Sequence, residues 1–173
     1  KDLTQIVLEN ESSLVLITSP INLDAPPKTT CSNALTKTIQ IQTNDIKKII
    51  EKEQYKIAYN KLKELSSVTV GNAQVFYMLG VASKNLGRIA ESKKYFQRSA
   101  ALDCSTWRSN IVFNNIMRKS SIENGSILLD FDYLINQDFG KNHLFLDEVI
   151  PQDLYLRSML KTIKTIISNI FKI

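Results

Sequence analysis

Residues 73–104 hold the spacing that most limits the fold of this chain. Phe76, Leu79, Gly80, Gly87, Phe96 and Asp103 lie on two amphipathic helical stretches that meet at a glycine. Gly80 has no side chain, so a second helix can approach the first there, with Phe76 and Phe96 filling the seam. Gly87 stands where the chain turns back, a position that favours glycine because the backbone often becomes left-handed. An earlier stretch has related spacing. Tyr55, Ala58, Leu62 and Leu65 share one helical face, and the shift that lays Tyr55 on Ile89 also lays Ala58 on Ser92 and Leu62 on Phe96. Ile46, Ile49 and Ile50 share the face of a helix before it, with Asn44 or Asp45 expected as its N-cap. The pattern predicts two helical hairpins, a degraded one over 39–71 and a better one over 73–104.

The shift from Tyr55 to Ile89 equals the period of the tetratricopeptide repeat (TPR), about 34 residues, and the stretch 73–104 resembles one such repeat. Ser92 and Ser99 stand where that family usually has alanine, and Cys104 where proline usually closes the repeat. The resemblance implies a surface for a protein or peptide partner rather than a catalytic device. The residues expected to face such a partner are Asn72, Gln74, Lys84, Asn85 and Arg88, whereas Tyr77, Tyr95 and Phe96 read as inter-helix packing. Two repeats are fewer than the roughly three that a free-standing stack needs, so other structure must cover the ends.

The flanking segments carry an α/β pattern. Leu14-Val15-Leu16-Ile17 is a short apolar run between Ser12-Ser13 and Thr18-Ser19-Pro20, which predicts a fully buried strand. Residues 19–33 form a loop broken by Pro20, Pro26 and Pro27. Residues 106–119 read as a helix with Trp107, Ile111, Phe113 and Ile116 apolar, and 123–125 as a turn. A second buried strand is expected over 126–131 with Asp130 at its C-terminal end, then a loop with a short helix over 134–147. A final helix over 152–171 carries Leu156, Met159, Leu160, Ile163, Ile166, Ile167, Ile170 and Phe171 on one stripe. Helices after each strand favour parallel pairing. The fold class is mainly α with a small α/β part: TPR-like antiparallel hairpins, two short parallel strands and a C-terminal helix. The expected organisation is 1–32 (first strand and loop), 33–104 (hairpins) and 105–173 (helix, second strand and C-terminal helix). Two strands alone make a poor sheet, so further strands are expected from elsewhere in the gene or from a partner chain.

Taken in order, LVLITSPINLDAPP (14–27), LDCSTWRSNIVFNNIMRK (102–119), ILLDFDYL (127–134) and GKNHLFLDEVIPQDL (140–154) are similar to the C-terminal half of SGNH (GDSL-like) hydrolases, with helices inserted after a core strand. The resemblance implies a last block Asp-x-Val-His-Pro, whose Asp and His complete a triad with an upstream Ser. Asp147 matches that aspartate, and Ile150 stands in the place of the histidine. Isoleucine cannot accept a proton, so no Ser-His-Asp relay can be assembled there. No nucleophile block precedes Leu14. His143 is the one histidine and reads as a solvated loop residue, because a base needs a nucleophile within hydrogen-bond reach. The expected function is a non-catalytic protein-interaction or scaffold module, a pseudoenzyme scaffold without its chemistry. The alternative is an incomplete or inactivated SGNH-type ester or acetyl hydrolase whose serine block lies before Lys1. A chain that begins at Lys1 rather than Met reads as a fragment or a processed form.

The remaining signals are bland. Asp130, Asp132 and Asp147 read as solvated or helix-capping carboxylates rather than metal ligands, and no cofactor is expected. Asn22 reads as a turn residue bonding its own backbone. The two cysteines, Cys31 and Cys104, lack CxxC spacing and read as ordinary thiols, with a disulfide the alternative for an exported protein. The net charge of +5 comes from lysines interleaved with Glu51, Glu53, Glu64 and Glu91, which reads as solvated helix faces and not a nucleic-acid surface. Arg157, Lys161, Lys164 and Lys172 lie beside the apolar stripe of the last helix. That pattern is expected to pack on a sheet rather than to lie on an anionic membrane.

Overall fold

The structure, a computed structural model, describes residues 3–10, 12–28, 30, 37–105 and 108–171; Cys31, Trp107 and Lys172 lie outside them. The elements are α1 (Leu3–Glu9), β1 (Val15–Thr18), α2 (Lys37–Glu51), α3 (Tyr55–Val68), α4 (Ala73–Asn85), α5 (Ile89–Leu102), α6 (Ile111–Asn124), β2 (Ile127–Asp130), α7 (Phe131–Asn136) and α8 (Asp153–Phe171). The fold is mainly α with a small α/β part. The chain forms two compact units, Leu23–Asn110 and Lys1–Asn22 with Ile111–Ile173.

In the helical unit the core is built from Ile46 of α2, Ala58, Leu62 and Leu65 of α3, and Val75, Met78, Leu79 and Ala82 of α4. Helices α3 and α5 are each 14 residues long, so one offset carries both Tyr55 onto Ile89 and Val68 onto Leu102. Their buried positions recur at that same offset, with Ala58, Leu62 and Leu65 answered by Ser92, Phe96 and Ser99. The seam between α4 and α5 depends on Gly80. A Cβ there would lie 2.6 Å from Phe96 Cδ1 and 2.7 Å from Cε1, and Phe96 is only 2% exposed. The two serines on α5 use the same close approach. Ser92 Oγ donates to the Gly80 carbonyl at 2.8 Å, and Ser99 Oγ donates to the Ala73 carbonyl at 2.9 Å. Buried hydroxyls are thereby satisfied on the facing backbone.

The two hairpin turns share one hydrogen-bond pattern. After α4, Gly87 N donates to Lys84 O and Arg88 N to Ser83 O; after α2, Glu53 N donates to Ile50 O and Gln54 N to Ile49 O. Both are paired 5→2 and 6→1 closures with a left-handed residue past the helix end. Gly87 takes φ +75° at that position, and Glu53 takes φ +58°. The first hairpin therefore has the same turn without a glycine.

The helix bearing Ile46 begins at Lys37, so Asn44 and Asp45 lie within α2 and are not its N-cap. Asp45 instead pairs with Lys48 on the helix surface. At the other end of the unit, Asp103 is buried and accepts from Lys28 N, Ser105 N and Arg108 Nη2, while Thr30 bridges Asp103 in antiparallel fashion. Cys104 is disulfide-bonded, so the expectation of an ordinary thiol there is corrected. The bridge at the preceding residue holds that stretch of chain against the loop.

In the α/β unit, β1 and β2 pair in parallel from Val15↔Ile127 to Thr18↔Asp130, although the whole helical unit lies between them in sequence. Helix α6 packs on both strands. The strands are less covered than their apolar runs predict, since Ile17 is 45% exposed. A sheet of two strands has no further neighbour to bury its outer residues. Helix α6 starts later than expected and runs to Asn124, where Gly125 at φ +63° ends it. The short helix expected within 134–147 instead follows β2 directly, as α7, and Phe131, expected in the strand, opens it. Asp130 is its N-cap and accepts from Tyr133 N. Along α8 Tyr155 is buried, but Leu160 and Ile167 are exposed and no described side chain beyond Tyr155 is buried. The expected packing of its stripe on a sheet is incomplete. At about 1.5 Å per residue such a helix spans roughly 28 Å, which two strands about 4.8 Å apart cannot cover. Among the described residues no helix is long and apolar enough to cross a membrane.

Gly80→Ala should destabilise the helical unit by ~1–2 kcal/mol. A Cβ under 3 Å from a buried ring puts the overpacking in the upper part of its range (~2–3 kcal/mol), which outweighs alanine's helix propensity (~1 kcal/mol). A thermal midpoint that is unchanged or raised would show the seam is looser than this. Glu53→Gly should do the reverse. Relief of the left-handed backbone (~1–2 kcal/mol), less glycine's greater unfolded-state entropy, leaves a gain of about 0.5–1 kcal/mol, readable as a rise in the denaturant midpoint.

Candidate functional site

In parallel sheets, functional groups gather where the strands end, and the polar residues of the α/β unit do so. Thr18 ends β1, fully buried. Its Oγ1 donates to Asp130 Oδ1 at 2.8 Å and accepts from Asp132 N at 3.1 Å. Arg118 reaches in from α6. Its Nε donates to Asp130 Oδ2 at 2.6 Å, and its Nη2 donates to Asp130 Oδ1 and Asp132 Oδ2, both at 2.8 Å. Asp132 Oδ1 also accepts from Ile21 N at 3.1 Å and from Asn136 Nδ2 at 3.0 Å. Asn114 of α6 clamps Ser19, with its Oδ1 accepting from Ser19 N and its Nδ2 donating to Ser19 O. The chain leaving β1 is therefore fixed at consecutive points between α6 and α7.

The acids of this hub are committed to hydrogen bonds. Asp130 caps α7 as expected, but Asp132 is 5% exposed and is not a solvated carboxylate. Burial pushes the Asp130 carboxyl up. The Arg118 bond, the Tyr133 N–H, the Thr18 hydroxyl and the Arg118 charge outweigh it and hold the group below its ordinary value. The bond to Asp130 raises the Arg118 guanidinium against the opposing effect of burial. Among the described residues no group of three His, Cys, Asp or Glu side chains could hold a metal ion. Arg118 is not legible as a hub residue in the sequence, because Asp130 and Asp132 stand beyond the end of its helix and across a strand. Only the packing of α6 on β2 brings them together.

Asp147 lies in an exposed turn. Its Oδ1 accepts from Val149 N and Ile150 N, each at 2.7 Å, and its carbonyl accepts from Asn22 Nδ2 at 2.7 Å. Asn22 thus bonds across the unit to the Asp147 turn, which corrects its reading as a residue bonding its own backbone. The Ile150 and Val149 N–H groups hold the Asp147 carboxyl below its usual range. Ile150 is 50% exposed. His143 is exposed, and among the described residues no hydrogen bond joins it to Asp147. The aspartate closes its own turn.

The expected partner-facing residues of the helical unit fare unequally. Asn72 is buried and is the N-cap of α4, with its Oδ1 accepting from Val75 N at 3.0 Å, so it is a structural residue and no partner contact. Gln74 is half-buried. Lys84 is ion-paired with Asp24 at 2.8 Å. Asn85 is exposed and donates to the Val81 carbonyl. Arg88 is exposed and stacks over the Tyr59 ring at 4.6 Å, with Glu91 3.7 Å away.

Around Arg88 lies a cluster that the sequence reading missed. Tyr59 Oη and Tyr95 Oη both donate to Glu91 Oε1, at 2.7 and 3.0 Å, and Lys63 Nζ donates to Tyr95 Oη at 3.1 Å. Tyr95 is thus a polar contact as well as a packing residue. The bond to Glu91, then burial, push the Tyr59 hydroxyl up to about 12. The Tyr59 bond holds Glu91 below its ordinary value, against burial. Both pairs are 32 residues apart, two short of the offset that carries α3 onto α5, so that offset does not point to them and only tertiary packing brings them together. A cleft of about 340 Å³ opens between α2 and α3, lined by Ile46, Ile49, Leu65 and Val68 with Asp45 and Lys61.

The Asp130 carboxyl gives the α/β unit a pH dependence of defined sign. Its folded value is depressed, so its contribution is complete above the unfolded value of ~4 and is lost as pH falls through the folded value. Denaturant unfolding at pH 7 and pH 3 should show this loss. Arg118→Met should lower neutral-pH stability by roughly 2–4 kcal/mol, by stranding two acids, and should flatten the acid dependence. A variant as acid-sensitive as the parent would place the titration elsewhere.

No protein-family model matches this chain, and no curated protein or solved structure is significantly similar to it.

Proposed function

We propose that this chain is a non-catalytic interaction module, in which TPR-like helical hairpins are inserted in the sequence of an α/β unit that resembles an SGNH-type hydrolase without its chemistry. The observation that carries the reading is the Asp147 turn. Oδ1 of its carboxylate accepts from the N–H groups of Val149 and Ile150, and the SGNH resemblance implies a proton-accepting histidine where Ile150 stands. Aspartate in a triad serves by orienting a base and stabilising its charge. With isoleucine in that position it has nothing to orient.

The interaction half of the reading is supported by the recurrence of hairpin geometry at one interval from α3 to α5, down to the left-handed turn residues Glu53 and Gly87. It is supported further by side chains that decorate the hairpins with charge and aromatic rings, among them Arg88 over Tyr59 and Lys63 against Tyr95. Aromatic and arginine side chains are enriched where proteins meet other proteins. The partner class is a protein or peptide. Disulfides persist in oxidising compartments, so the bonded Cys104 favours a protein exposed to one.

One observation keeps the hydrolase alternative distinct. Asn22, after β1, is hydrogen-bonded to the Asp147 turn, so two segments of the SGNH-like pattern meet in space. On that reading the chain is an incomplete or inactivated ester or acetyl hydrolase, and a serine block elsewhere in the full-length protein would be required. Hydrolysis of p-nitrophenyl acetate separates the two. The chain is expected to match the buffer blank, and Ile150→His alone should not create activity, because no nucleophile accompanies it. Turnover that Asp147→Asn abolishes would overturn the non-catalytic reading.

A further inference from the structure

One face of α4 is covered by the chain's own segment Leu23–Lys28. Lys84 Nζ donates to both carboxylate oxygens of Asp24, at 2.8 and 2.9 Å. Earlier on the same helix, Tyr77 Oη donates to the Asp24 main-chain carbonyl at 3.1 Å. Leu23, next to Asp24 in the chain, is buried. The far end of the segment is held separately, by Lys28 N on Asp103 at 3.3 Å and by the Thr30–Asp103 bridge. Pro26 and Pro27 lie between, where the lack of N–H groups and the fixed φ keep the segment out of any helix.

Two side chains of one helix, Tyr77 and Lys84, thus read the main-chain carbonyl and the carboxylate of the same residue. The carboxylate contact selects for charge and the carbonyl contact for position along a backbone. Together they are the chemistry of peptide recognition rather than of core packing. The ion pair is half in solvent, at 37% and 45% exposure, so it is individually weak. What keeps the segment in place is its tether, because linkage at both ends raises its effective concentration to about the millimolar range.

We propose that the Tyr77–Lys84 face of α4 is a recognition surface for a short peptide that presents a carboxylate, and that Leu23–Lys28 occupies it in cis as a strap. A partner peptide binds there by displacing Asp24. The inference rests on the reading of the helical unit as an interaction module. It also revises the expectation for Lys84, which takes part in recognition but is engaged in the resting chain.

The probe is the synthetic peptide acetyl-Leu-Asp-Ala-Pro-Pro-Lys-amide, titrated into the ¹⁵N-labelled full chain with its disulfide intact. Shifts of the Tyr77 and Lys84 amides report occupancy. Asp24→Ala loosens the strap without removing the receiving side chains, and it should bind the peptide roughly fivefold more tightly than the parent chain. Adding Lys84→Met to that variant should abolish the gain, and a peptide with Asn in place of Asp should bind more weakly. Equal affinity of the parent and Asp24→Ala, or equal affinity for the Asp and Asn peptides, would overturn the proposal. As a second measurement, Lys84→Met alone should speed amide hydrogen exchange at Asp24 and Ala25, and unchanged exchange would count against the strap. None of these outcomes bears on the absence of catalysis, which the ester assay decides separately.

Discussion

The contact between Gly80 and the Phe96 ring governs the helical unit. Because no Cβ stands at position 80, an aromatic ring lies against the α4 backbone, and α4 and α5 close to a separation that other residues then exploit. Ser92 and Ser99 sit opposite α4 carbonyls near enough to donate to them. An alanine would fill those positions as well by volume. The hydroxyls add a directional bond to a non-directional seam, which fixes the register of one helix on the other. Tyr77 packs on the same Phe96 ring, with centroids 5.5 Å apart, and its hydroxyl reaches the strap. The chain from core glycine to surface contact is therefore short.

The α/β unit is ordered by charge as much as by apolar burial. Its two strands are too few to form a core by themselves, and several of its large apolar side chains, such as Phe113 and Ile116 on α6, remain exposed. What ties α6, both strand ends and α7 together is the Arg118–Asp130–Asp132 hub with Thr18, Asn114 and Asn136. Nearly every acceptor in it is engaged. Such a hub holds a scaffold in place.

Much of the architecture was legible in the residues. The hairpins over 39–71 and 73–104, the turn at Gly87, the parallel pairing of two short strands and the long last helix follow from periodicity, glycine placement and strand–helix alternation, all of which are local or have a fixed period. The errors share a different cause. Asn44 and Asp45 have the chemistry of a cap, but α2 continues through them because its apolar face begins earlier. The apolar runs around Leu16 and Leu128 read as buried strands, yet burial requires neighbours that a sequence pattern does not guarantee. Asn72 has a polar surface residue's identity and a buried cap's position.

The interval from Tyr55 to Ile89, the glycine at the seam and the isoleucine at position 150 were decided by the sequence alone. Each is a statement about which atoms are present or missing at a spacing. Tertiary structure alone decided the assignments of Arg118, Asn22, Asp24 and Lys84. Their partners stand across a helix end, a strand or most of the chain, and a hydrogen bond across such a separation exists only once packed helices and strands have brought both groups within about 3 Å.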